Sequence, residues 1–128
     1  MGPTANAAAP TDAVAPVAAI DLEHLARMTL GERGLEVEVL ALFDRQAAVL
    51  LARMGNSTPA AVAAFAHTLK GSARGIGAWR VAEAADAVEM KASRSDAAEV
   101  AAAVRRLVAA VDEAKAVIAD RLRPYNGF

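Results

Sequence analysis

Between Gly34 and Met54 the apolar side chains of Val39, Leu40, Phe43, Ala47, Leu50, Leu51 and Met54 recur three and four positions apart. That spacing puts them in one stripe along a helix, and it fixes the helical class of the segment. The same period returns three times further along. Thr58 is a suitable N-cap with Pro59 at the first helical position, where a missing N–H costs nothing. The helix they start runs to about Ala73 or Arg74 and turns Val62, Phe65 or Ala66, Leu69, Ala73 and Ile76 inward. Gly75 and Gly77 flank Ile76 at a turn. A further helix from Ala78 to about Ala92 presents Val81, Ala84 or Ala85, and Val88, with Trp79 sealing the corner. After a break at Ser93 to Ser95, with Ser95 or Asp96 as cap, Val100, Val104, Leu107, Val111, Ala114 and Ile118 line the last helix. No segment alternates as a strand would. The expected fold is all-α: an antiparallel up-down four-helix bundle with a short additional N-terminal helix. That short helix is capped by Asp21, carries Leu22, Leu25 and Met28, ends at the Gly31 and Gly34 turn, and serves as a lid.

The chain has 128 residues, enough for one domain with a real core. Alanine supplies 35 of them, so much of the 55% hydrophobic fraction is small side chain that lets helices approach closely. Residues 1–18, with Pro3, Pro10 and Pro16 among Ala, Thr and Asn, read as a mobile tail, and 19–128 as the domain. No cysteine is present, which removes thiolate catalysis and Cys-ligated zinc or iron–sulfur sites. A formal net charge of -1 supplies no field for a polyanionic duplex, so nucleic acid is not an expected partner. No stretch resembles a secretory or membrane-spanning segment, and the expected location is cytoplasmic. The glycines lack the GxxxxGK[ST] spacing of a nucleotide loop, so no ATP site and no autonomous ATP-dependent kinase activity are expected.

The chemistry concentrates in Ala66-His67-Thr68-Leu69-Lys70-Gly71-Ser72-Ala73. His67, Lys70, Gly71 and Arg74 share an arc of the helix separate from the apolar seam. An exposed neutral imidazole can attack a phosphoryl group already activated as an acyl phosphate on a partner aspartate. Lys70, one turn on, can meet the phosphoryl oxygens as a point charge. Gly71 leaves room for an incoming surface, and Arg74 extends a positive rim. A lone surface histidine on an Ala-rich helix is ordinary, and a mid-helix glycine can simply serve close packing. Gly71 nevertheless costs about 1 kcal/mol relative to Ala, in a chain that uses Ala almost everywhere else. His24, beside Glu23, has no comparable neighbours. Asp44, Glu83, Asp86 and Glu89 read as helix-surface charges, without the spacing of a metal site.

The run His67-Thr68-Leu69-Lys70-Gly71-Ser72-Ala73, then Gly77-Ala78, Val81, Ala85 and Val88-Glu89, closely resembles the histidine-containing phosphotransfer domain of multistep phosphorelays. Upstream, Leu42-Phe43 with Gln46 is similar to that family's second helix. The resemblance implies a histidine phosphocarrier in which His67 accepts a phosphoryl group from a receiver-domain aspartate and passes it to another receiver. It implies further that Lys70 supports the phosphoryl group, that Gly71 admits the receiver's loops, and that Gln46 helps orient the imidazole or phosphate. A Gln on a solvated helix face is equally ordinary. Arg74-Gly75, the small Ala85 and Val88, and the bulky Trp79 depart from the pattern, as changes of packing and partner choice. The implied partners are response-regulator receiver domains, the receiver of a hybrid histidine kinase being one candidate. Their docking surface is expected to draw on Leu25, Met28, Leu35 and Leu42.

No intrinsic cofactor is expected; Mg2+ belongs to the partner receiver. The polar exterior of a single bundle suits a monomer. Two other classes compete. A histidine kinase dimerisation module would need a nucleotide-binding domain that 128 residues do not hold beside this bundle. A non-catalytic helical binding module that sequesters a receiver or histidine kinase would use the same exposed face, and only phosphoryl acceptance separates it from a carrier.

Overall fold

The computed structural model describes residues 18–94 and 96–124, and among these every regular element is a helix. Five helices follow in order: α1 (Leu22–Met28), α2 (Arg33–Met54), α3 (Pro59–Ile76), α4 (Trp79–Ala92) and α5 (Ala97–Leu122). The last four form the bundle, and α1 packs on α3. The reading of residues 1–18 as a tail concerns segments that, up to residue 17, lie outside the described residues, as does the candidate cap Ser95.

Caps set most boundaries. Asp21, Thr58 and Asp96 each accept a backbone N–H from three residues on, which satisfies a donor left orphaned at a helix start. Glycine placement differs from the expected pattern in two places. Gly34 lies in the first turn of α2, and Gly31 (φ 73°) closes the α1 turn together with Leu30, a non-glycine residue at φ 55°. Gly75 lies inside α3, which runs to Ile76 rather than stopping near Arg74. One left-handed residue suffices to end a helix, and Gly77 supplies it at φ 83°. Its N–H bonds to Arg74 O while the Ala78 N–H bonds to Ala73 O. Gly77 O also accepts from the Asp21 N–H at 2.9 Å, so this turn is where α1 is tied down.

The core is built from the expected stripes, with alanine prominent among its fully buried residues. Leu40, Ala47, Ala66, Leu69, Ala73, Val81, Ala85, Val88, Leu107 and Ala114 are fully buried. On α5 the buried face is Ala103, Leu107, Val111, Ala114 and Ile118, whereas Val100 and Val104 sit half-buried at its edge. The α1 lid buries Leu25 alone; Leu22 and Met28 remain exposed. Just after α1, in the first turn of α2, Glu36 Oε2 receives Arg121 Nε at 2.7 Å and pairs with Arg33 at 3.4 Å, joining α2 to α5. Removing Arg121 would leave this mostly buried carboxylate only the longer contact with Arg33.

Candidate functional site

Antiparallel packing of α3 and α4 about the Gly77-Ala78 turn brings residues equally far from Ala78 in sequence opposite one another. His67 meets Glu89, and Lys70 meets Asp86. The His67 side chain is 68% exposed, with Nδ1 3.0 Å from Glu89 Oε2. Lys70 Nζ lies 3.0 Å from Asp86 Oδ1 and 2.8 Å from Glu89 Oε1, its side chain only 14% exposed. Glu89 therefore bridges the imidazole and the ammonium through its two oxygens.

Charge follows from that bridge. The Lys70 ammonium beside it holds the Glu89 carboxyl below its usual value, against the opposing effect of burial, and the bond from His67 adds to the lowering. Glu89 and then Asp86 push the Lys70 ammonium up from its usual value. Glu89 is thus an anion at neutral pH and can only accept. In its neutral form the imidazole then carries its single proton on Nδ1, facing Glu89, with the lone pair on Nε2.

The other expected site residues lie around this pair without joining it. Gly71 is exposed, and a Cβ built there would meet nothing within 4 Å. It serves no helix packing, so the packing explanation for a mid-helix glycine does not apply. Gln46, half-buried on α2, accepts from Ser72 Oγ at 2.7 Å and does not reach the imidazole. Arg74 is exposed, with no ion pair among the described residues. Asp86 and Glu89, read from the sequence as solvated helix charges, instead contact the lysine, and Glu89 also contacts the histidine. Their spacing of three mirrors that of His67 and Lys70. That complementarity was the available signal. Asp44 lies 3.6 Å from Lys115. Among the described residues no group of three His, Cys, Asp or Glu could hold a metal ion, and no helix is long and apolar enough to cross a membrane.

Of the apolar residues expected to dock a partner, Met28 and Leu42 are exposed, at 53% and 57%, and Leu35 is half-buried. Leu25 is a correction: at 1% exposure it belongs to the core beneath α1. His24 also acquires neighbours the sequence did not suggest. Its Nε2 lies 3.2 Å from Gly75 O and its ring stands edge-on to Trp79 at 4.9 Å between centroids. Trp79 Nε1 in turn donates to Asp21 Oδ2 at 3.0 Å. That bond, with the one from the His24 backbone, holds Asp21 below the usual carboxyl range.

A helical bundle with an exposed histidine and a lysine one turn on defines a class that the family comparison names. The Hpt domain family matches residues 38–116, and the chain belongs to it. Its members carry out histidine phosphotransfer in phosphorelays and interact with response-regulator receiver domains. The match begins within α2 and leaves α1 outside. No curated protein and no solved structure matches the chain.

Proposed function

We propose that this domain is a phosphocarrier between receivers: Nε2 of His67 takes a phosphoryl group from a receiver aspartate and returns it to the aspartate of another. The observation that supports this most directly is the 3.0 Å contact of Nδ1 with Glu89, which leaves Nε2 as the unengaged nitrogen of a solvent-facing ring. In the forward step the P–O bond of the aspartyl phosphate breaks, its electron pair stays on the aspartate oxygen, and an N–P bond forms at Nε2. The Nδ1 proton does not move, so the ring becomes cationic as the phosphoryl group arrives. Glu89 is placed to stabilise that charge, as a buried carboxylate does for an imidazolium in hydrolytic triads. Such transfer is mainly positioning and electrostatics, so an exposed site can support it.

Lys70 would face the phosphoryl oxygens, and Gly71 would leave the approach open. Arg74 would meet acidic residues at the partner's rim, where charge acts chiefly on association rate. Gln46 would hold Ser72, and so the α2–α3 packing, rather than touch phosphate. The divalent cation is the receiver's. The carrier works as a monomer in the cytoplasm, where receivers and their kinases meet.

The test incubates the protein, alongside a His67→Gln variant, with a phosphorylated receiver domain, and follows acid-labile, base-stable phosphate by intact mass. Uptake by wild type alone is the expected result. Binding of cognate receivers without uptake would replace the carrier by a sequestering module.

A further inference from the structure

Lys70 is neutralised twice before any phosphoryl group arrives. Its ammonium is shared between Asp86 Oδ1 at 3.0 Å and Glu89 Oε1 at 2.8 Å, with most of the side chain covered. The two carboxylates are not equivalent. Glu89 is committed to His67 through its other oxygen, whereas Asp86, 44% exposed, meets the lysine and makes no bond to the ring. With a neutral His67, the four side chains carry a net charge of -1, and the phosphorylated state carries -2. An ammonium already engaged by two anions is a weaker counter-ion for a third.

From this geometry, and resting on the phosphocarrier reading, we infer that Asp86 is a positioning residue that limits how firmly His67 retains its phosphoryl group, by holding Lys70 back. In the transfer itself, the N–P bond at Nε2 breaks as a P–O bond to the accepting aspartate forms. The electron pair returns to Nε2, and no other reactant takes part. Asp86 contributes by keeping the phosphohistidine side of that exchange from becoming a sink. A carrier needs this property, since it must release what it accepts.

The experiment measures how phosphate partitions between a receiver and His67 at equilibrium, for wild type, Asp86→Asn, Asp86→Glu, Lys70→Gln, and Asp86→Asn combined with Lys70→Gln. The hydrolysis half-life of phospho-His67, loaded with phosphoramidate as a receiver-independent donor, is measured in parallel. For a half-exposed ion pair, the expected shift toward phospho-His67 in Asp86→Asn is about two- to fivefold. Asp86→Glu should restore the wild-type partition. In the Lys70→Gln background the Asp86 substitution should lose its effect, because the residue acts through the lysine. An unchanged partition in Asp86→Asn would overturn the proposal, as would an undiminished effect without Lys70. Wild type that loads from neither donor would sink the phosphocarrier reading itself, whereas normal loading with unaltered partition sinks only the role of Asp86.

Discussion

The molecule has two histidines, each held by a group from another helix, and the difference lies in which ring nitrogen is held. His24 turns Nε2 to Gly75 O and lies against Trp79, within a cluster that ties α1 to the end of α3. His67 turns Nδ1 to Glu89 and leaves Nε2 to solvent. The first arrangement uses the imidazole as a structural strut. The second orients it and leaves its outer nitrogen available. Exposure and sequence context already set His67 apart, and the identity of the bonded nitrogen gives the physical reason.

The sharpest way to break the comparison is to replace each histidine in turn. His67→Gln should abolish phosphoryl uptake completely, while His24→Gln should retain it, as read by intact mass after incubation with a phosphorylated receiver. Loss of uptake in both variants would mean that the α1 cluster is part of the site.

A second contrast sets the glycines of the two regions against each other. Gly77 has φ 83°, and a Cβ there would come within 3.0 Å of Asp21 O. Gly77→Ala should destabilise the fold by about 1–3 kcal/mol in denaturant unfolding. Gly71→Ala meets open space in a helix interior and should stabilise by up to about 1 kcal/mol. A destabilised Gly71→Ala would show that this glycine does serve packing.

Both regions should also weaken on acidification, for the same reason. Glu89 and Asp21 each sit below their usual values, 4.5 and 3.8, so each binds protons less readily folded than unfolded. Their stabilising contributions are complete above those usual values and disappear as pH falls through the lower folded ones. Unfolding free energy should therefore fall as the pH drops below about 4.5, less steeply in Glu89→Gln and Asp21→Asn than in wild type. Equal slopes in all three proteins would refute the assignment. The smallest effect is spectroscopic. Nitrogen-15 shifts of neutral His67 should report the Nδ1–H tautomer in wild type and a mixture in Glu89→Ala, whereas His24 should not respond.

Much of this was legible in the sequence where the information is local. The stripe Leu40, Phe43, Ala47, Leu50 gives α2 its buried face, because helical periodicity depends only on neighbouring positions. The same argument puts Lys70 one turn from His67. What was not legible depends on how one helix is rotated against another. Asp86 and Glu89 could have faced solvent on α4, as most charges do, until the Gly77 turn set the facing surfaces. Gln46 carried a motif-like position, yet its amide is engaged by Ser72, a packing detail that no spacing reveals. Gly75 read as a breaker by residue type, but it stays helical because Gly77 alone provides the left-handed residue.

The tight turn at Gly77-Ala78 has a kinetic consequence. The nucleophile, its orienting carboxylate, the ammonium and the second carboxylate all come from residues 67–89, one continuous helical hairpin. Little loop entropy opposes bringing them together, and local contacts of this kind form fast. The distant Glu36–Arg121 tie, by contrast, joins nearly opposite ends of the described chain. The chemical centre can therefore assemble early in folding, before the long-range closure of the bundle.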